Sequence, residues 1–241
     1  MTYCIALKMD SGLLFLADTR TNAGVDNVSS VKKIRTWRAE DRIVTIMSAG
    51  NLATTQAVTA RLEERHVEPD ARDPSIFNAP SMFEIARLVG TTLRAEVLAH
   101  AQTGASSEAF SGTLIVGGQV GGSPQRLYLV YPEGNFIEAT ADNPFFQIGE
   151  AKYGKPIILR AFDPTMDWRD AVKLLLVSMD STVRSNLSVG PPFDVRYVAR
   201  DSFELTHERR IEGDDPYYSQ LSRGWGESLK RAFEALPEYG G

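Results

Sequence analysis

Thr2-Tyr3-Cys4-Ile5-Ala6-Leu7-Lys8-Met9-Asp10-Ser11-Gly12-Leu13-Leu14-Phe15-Leu16-Ala17-Asp18 opens the chain with two apolar runs divided by a tight-turn signature. Tyr3 to Met9 and Leu13 to Ala17 each read as a strand, and Asp10-Ser11-Gly12 folds the second back along the first. Counting outward from that turn brings Asp18 within a residue or two of lying opposite Thr2. A carboxylate at the end of an apolar strand, beside a hydroxyl, is not where a solvated charge is placed by default. Thr2 follows Met1, and a small second residue normally permits methionine removal. The α-amine then exposed has a reference pKa of about 7.7–8.0, so it is partly neutral near pH 7 and can serve as general base for its own hydroxyl.

Such a nucleophile needs a cation that favours the neutral amine, and a carboxylate that holds the cation. Lys33, entering a strand at Ile34, is the best candidate, with Lys32 on the opposite face. It also needs backbone N–H groups facing the developing oxyanion. Ser48-Ala49-Gly50 reads as a strand-to-helix turn that supplies them, its glycine allowing close backbone approach. Plainer readings stand beside these. Many chains begin Met-Thr, Asp18 can cap a loop, and Lys32-Lys33 can be solvated charge. Ser29-x-x-Lys32 and Ser30-x-x-Lys33 match a serine–lysine nucleophile pattern, but their flanks read as loop and strand where that chemistry needs a helix.

Further along, Ile34 to Trp37 and Arg42 to Met47 form a second strand pair. A helix from Asn51 carries Leu52, Val58 and Leu62 on its apolar face. After a proline-rich loop from Glu68 to Pro80, Ser81 and Glu84 make a capping box before the stripe Ile85, Leu88, Val89, Leu93 and Val97. Strands follow at Gly112 to Val116, Arg126 to Tyr131, Asn135 to Glu138 and Phe145 to Ile148, with Gly117, Gly118, Gly121 and Gly122 read as a hairpin loop. Asp167 caps a third helix; strands at Asp194 to Ala199 and Phe203 to His207 precede a last helix from about Tyr217. Strands cluster instead of alternating with helices, which favours an antiparallel sandwich with helices outside over a doubly wound parallel sheet. No linker divides residues 1–241, so one domain with an added helical segment from about 216 is expected.

The 241 residues are 43% hydrophobic and 24% charged, an ordinary globular balance. A net charge of −5 argues against nucleic acid or anionic membrane as the main partner. The single cysteine excludes an intrachain disulfide and any multi-cysteine metal site. His66-Val67-Glu68 matches half of a zinc-deaminase signature whose cysteine pair is absent. No metal or cofactor is expected. With no transmembrane run or signal peptide, a cytoplasmic protein is expected.

Together these residues resemble the proteasome β-subunit family of N-terminal-nucleophile hydrolases. Leu16-Ala17-Asp18-Thr19-Arg20-Thr21-Asn22-Ala23-Gly24 is similar to its Ala-Asp-x-Arg-x-x-x-Gly signature, Val31-Lys32-Lys33-Ile34 to its lysine strand, and Met47-Ser48-Ala49-Gly50 to its oxyanion turn. Phe146-Gln147-Ile148-Gly149 resembles its Ile-Gly-Ser-Gly segment, and Val183-Arg184-Ser185-Asn186-Leu187-Ser188 stands in place of its Arg-Asp-x-x-Ser motif. The opening without propeptide and the extended C-terminal part look most like a bacterial, ancestral-β-subunit branch. The resemblance implies an α+β, four-layer αββα sandwich of two antiparallel sheets, with Thr2 as nucleophile and Asp18 and Lys33 as activators. It also implies Ser188 and Ser185 at the catalytic motif, Ala49 and Gly50 at the oxyanion hole, Thr21 and Asn22 beside the substrate, and self-assembly into a ring or helical array.

Three departures stand out. Glu150 occupies the usual place of a serine and would raise the pKa of the amine unless it points away or pairs with a cation such as Lys152. Ser185 replaces an aspartate, so only Ser188 of that pair transfers cleanly. The lysine sits one residue early relative to Thr2. Asn51, near the start of the family's specificity pocket, suggests a polar preference. The expected activity is a threonine peptidase or amidohydrolase working inside a homo-oligomer on a peptide or amide substrate. Its rivals are a small-molecule amide hydrolase and a catalytically weak scaffold, with any ATPase partner left open. The stripe Leu221, Trp225, Leu229, Phe233 and Leu236 is expected to dock on its own domain or on a neighbouring subunit.

Overall fold

The computed structural model describes residues 1–22, 28–67, 74–101 and 107–240. Ala23 and Gly24 of the signature, the Asn22 side chain, and the Glu68 to Asp73 part of the proline-rich loop lie outside the described residues. Strand β1 (Tyr3–Met9) turns at residues 10 and 11 into β2 (Gly12–Asp18), with Met9 opposite Gly12 and Cys4 opposite Ala17. One sheet takes β10 (Phe145–Gly149), β1, β2, β11 (Phe193–Ala199) and β12 (His207–Ile211) in that order. The other takes β5 (Ile34–Ala39), β6 (Arg42–Gly50), β7 (Gly112–Val120), β8 (Arg126–Val130) and β9 (Phe136–Glu138). Every pairing in both sheets is antiparallel.

The opening strands are apolar at nearly every position because both faces are covered, and alternation divides their side chains between two cores. Tyr3, Ile5, Leu7 and Met9 of β1 and Leu14 and Leu16 of β2 point to a core shared with α3 (Lys155–Ala161), α4 (Trp168–Ser185) and α5 (Pro216–Glu234). Cys4, Ala6, Leu13, Phe15 and Ala17 point the other way, onto Ile43, Met47 and Ala49 of β6. Val44 and Ile46 of β6 then face a third core, against α1 (Leu52–Val67) and α2 (Met82–Ala101). The layers are helices, sheet, sheet, helices: the expected αββα sandwich of two antiparallel sheets.

Several local expectations are corrected. Gly117 and Gly118 belong to β7, and the turn is left to Gly121-Gly122. A Cβ on Gly117 would meet the Phe15 ring at 2.8 Å, so the glycine is the space that this large side chain fills between the sheets. The segment after β2 forms a two-stranded ribbon of β3 (Arg20–Asn22) and β4 (Val28–Ser30) where a loop was expected. The last strand begins at His207, where the sequence reading ends one, because Asp201 and Phe203 take left-handed backbone angles that break an extended run. Helix α3 was not expected; it is short and carries Pro156 in its first turn, where a missing N–H costs nothing. Ser81 caps α2 as read, accepting the Glu84 N–H at 3.2 Å.

Candidate active site

The end of β1 is held from two sides. The Thr2 carbonyl accepts the Glu150 N–H at 2.7 Å, and Tyr3 N–H donates to Asp18 Oδ1 at 2.9 Å. Gly149 makes the first contact possible: it sits at φ +81°, and a Cβ there would lie 2.0 Å from the Thr2 carbonyl oxygen. The hairpin register places Tyr3 opposite Asp18, so Thr2 lies one residue from the aspartate, as the count from the turn predicts.

Lys33 Nζ donates to that same Asp18 oxygen at 2.7 Å and to the Arg20 carbonyl at 2.6 Å. Both members are out of water, with Asp18 0% and Lys33 6% exposed. Burial pushes the Asp18 carboxyl above the usual range, opposed by the Lys33 charge and by N–H groups of Tyr3 and Gly190. Lys32 borders the same cleft but stays exposed, so the choice of Lys33 over Lys32 rests here on burial more than on opposite faces. Cys4 lies close by, its Sγ 3.7 Å from the Ser48 carbonyl. Burial raises its thiol far above the usual range, which leaves it an inert filler.

Beyond Lys33 the chain pairs with the end of β6. Ser48 N–H donates to the Lys33 carbonyl at 3.0 Å, and Asn51 N–H donates to the Ser111 carbonyl on the other side at 2.9 Å. Successive N–H groups alternate along a strand, so Gly50 N–H faces the Lys33 side and Ala49 N–H faces β7. Gly50 holds φ +112°, and a Cβ would come within 2.5 Å of the Ser111 carbonyl oxygen. Thr2, Lys33, Ala49 and Gly50 border one cleft of about 380 Å³, which Thr21 also reaches. Its far wall is one face of α1, where Leu52, Thr55, Gln56, Thr59, Ala60 and Glu63 recur at helical spacing.

Other predicted residues are engaged differently. Asn51 caps α1: its side-chain oxygen accepts the Thr54 N–H at 3.1 Å and its amide donates to the Ala109 carbonyl at 3.0 Å. It does not line the cleft. Leu52, expected on the buried face of α1, is exposed and belongs to the cleft wall. Ser185 ends α4 exposed, its hydroxyl donating to the Ser181 carbonyl at 2.8 Å, so it is turned back on its own helix. Ser188 N–H donates to the Asn186 side-chain oxygen at 3.0 Å. Glu150 is buried, and its carboxylate accepts from the Asn186 amide at 3.0 Å with Lys152 4.0 Å away.

The 186–190 segment was read for its serines, yet it reaches the buried pair through Gly190 and the neighbouring Arg20 through Leu187. Arg20 donates to the Leu187 carbonyl at 2.9 Å, and Gly190 N–H lies 3.4 Å from Asp18 Oδ2. A Cβ on Gly190 would fall 2.3 Å from the Arg20 guanidinium carbon. Only the glycine itself signals this in sequence. Among the described residues no group of His, Cys, Asp and Glu is placed to hold a metal ion, and no helix is long and apolar enough to cross a membrane.

The hairpin, the buried Asp18–Lys33 pair and the glycine turn inside an αββα sandwich are the frame of an N-terminal-nucleophile fold. A model of the proteasome subunit family matches residues 2–198, and the chain belongs to that family. Among solved structures it is similar to Anbu, the ancestral beta-subunit, from Yersinia bercovieri, at 43% identity and TM-score 0.92 over 99% of both chains. It is similar to the Gly-1 mutant of Anbu from Hyphomicrobium sp. strain MC1, at 46% identity and TM-score 0.92 over the whole of both chains. The helical assembly of the Anbu complex from Pseudomonas aeruginosa gives 40% identity and TM-score 0.93, over 99% of this chain and 98% of that one. A search of curated proteins found no match.

Proposed function

We propose that this protein is a threonine-type hydrolase of peptide or other amide bonds, with Thr2 as nucleophile once Met1 is removed, working in the cytoplasm as a self-assembled oligomer. The observation that carries the reading is one oxygen: Asp18 Oδ1 takes both the Lys33 ammonium and the N–H next to Thr2, tying the cation to the start of the chain. Met1, the residue to be removed, is exposed.

In the first step Thr2 Oγ attacks the substrate carbonyl and its proton passes to the Thr2 amine. Gly50 N–H meets the oxyanion, and Ala49 sets the turn. The C–N bond then breaks, the departing amine takes the proton from the Thr2 ammonium, and an ester remains on Thr2. Water, deprotonated by the same amine, releases the acid. Lys33 disfavours a second positive charge on the amine, and Asp18 holds Lys33 in place. The family resemblance assigns Ser188 to the amine's end of the site and Thr21 and Asn22 to the substrate's flank, and Thr21 lines the cleft.

Glu150 does not count against this reading, because Asn186 and Lys152 draw its carboxylate to themselves. The Anbu complex solved as a helical assembly supports oligomerisation of this chain too. The test is intact mass with a peptide epoxyketone, a reagent that needs a free amine and its hydroxyl on one residue. Loss of Met1 and one adduct that vanishes in Thr2→Ala are expected. A retained Met1, or an adduct elsewhere, would leave the fold as an assembly scaffold.

A further inference from the structure

The cleft beside Thr2 carries an imbalance of charge. Lys33 is neutralised by Asp18, which leaves Lys32 and Arg35 as the cations on its rim against one anion, Glu63. Lys32 makes no ion pair among the described residues. Arg35 reaches Glu63 only at 4.0 Å, with both side chains about half exposed, a contact that water and a substrate compete for easily. This surplus of positive charge sits on a protein whose net charge is −5.

Placement matters as much as sign. Lys32, Lys33 and Arg35 all line the cleft, and Arg35 follows Lys33 by two residues, roughly 6–7 Å along an extended segment. Along the opposing face of α1, Thr55 and Thr59 donate their hydroxyls to helix carbonyls. The long polar groups left to meet a ligand are Gln56, Lys32 and Arg35, with Glu63 at the far end. That end is about 16 Å along the helix from Leu52, beside the nucleophile's turn.

We infer that the preferred substrate carries a carboxylate on the acyl side of the scissile bond, several ångströms from the carbonyl as in glutamate, and that Arg35 is the residue that reads it. The inference rests on Thr2 being the nucleophile, which sets where the acyl group lies. Binding places the substrate carboxylate between Lys32 and Arg35, and the guanidinium exchanges Glu63 for it.

Binding and turnover are measured separately. Short peptide amides with Glu, Gln or Lys as the acyl residue are titrated calorimetrically into full-length Thr2→Ala protein, which keeps the cleft and cannot turn over. The Glu peptide should bind about five- to tenfold more tightly than the Gln peptide at low salt, with the margin shrinking as salt is added. Arg35→Gln in that background should bring the Glu peptide down to the level of the Gln peptide and leave the Gln peptide unchanged. Glu63→Gln, which frees Arg35, should widen the margin. Equal affinity for Glu and Gln, no binding of the Glu peptide, or a preference that survives Arg35→Gln would overturn the inference. In parallel, epoxyketones bearing Glu or Gln are applied to protein with Thr2 intact. Failure of both to label would remove the nucleophile reading, while the calorimetry still decides whether the cleft selects a carboxylate.

Discussion

Asp18 and Lys33 hold each other where neither has water, and that sets opposite expectations for single and paired substitution. Asp18→Asn leaves an ammonium buried beside a neutral amide, and Lys33→Met leaves a carboxylate with two N–H partners and no counter-charge. Each single change should cost about 3–5 kcal/mol, measured by urea unfolding, whereas the double change should recover most of that loss. Activity behaves otherwise: all three variants should lose on the order of 10²–10⁴-fold in turnover, since packing cannot replace the cation beside the amine. A double variant that regained turnover along with stability would show that the pair is structural. Gly149 gives a second expectation at this scale. Its φ of +81° and the 2.0 Å approach of a Cβ to the Thr2 carbonyl mean that Gly149→Ala must displace Thr2. Turnover should fall with only a modest loss of stability, about 1–2 kcal/mol, because the strain lies at a strand end.

Elements divide into those whose sequence states its own pattern and those set by neighbours. β1 and β2 were legible because a two-residue turn between continuous apolar runs permits few registers, and the register carries Asp18 to Thr2. The position of Lys33 followed from its entry into β5. What sequence did not show came from contacts made at a distance: the β3–β4 ribbon, the capping role of Asn51, and the support that Gly190 gives Asp18 from 172 positions away. Leu52 was misread as core-facing, because it shares α1 with the buried Val58 and Leu62 but lies on the face toward the cleft. β12 was misplaced for a local reason, since two left-handed residues precede it. At its start His207 packs on Trp168, and burial, with Arg209 and Arg169 near, lowers its pKa. The sign follows from linkage: the unfolded chain takes up the proton first, so stability should fall as pH drops through the ordinary histidine value of about 6.5. Thermal melts of the wild type between pH 7.5 and 5 should show that decline, and His207→Gln should flatten it; an unchanged slope would assign the decline to other groups.

For the molecule as a whole, α5 is half docked. Tyr218 is buried and donates to Asp180 at 3.2 Å, Leu221 packs on the same core, and Arg184 ties Ser222 to α4 at 2.7 Å. Past Trp225 the same stripe leaves its own domain: Leu229, Phe233 and Leu236 are 48%, 76% and 62% exposed. The expectation of docking on its own domain is met by the first turns of this helix, while the apolar side chains past Trp225 stay half to three-quarters exposed. Where the exposed stripe begins, it continues a groove of about 780 Å³ between α3, α4 and α5, lined by Ile157, Leu174 and Trp225. A second copy of the chain suits it, because an apolar ridge and an apolar groove on one surface allow a self-complementary contact. We assign this surface to the proposed assembly, and its test is substitution of the exposed stripe. Leu229→Asp with Phe233→Asp should lower the particle mass measured by light scattering to that of smaller species. Because neither side chain is buried at home, the monomer's melting temperature should move by no more than about 1–2 °C. Assembly that persisted with both aspartates in place would move the interface away from α5, and a large drop in melting temperature would mean that the stripe packs within its own chain after all.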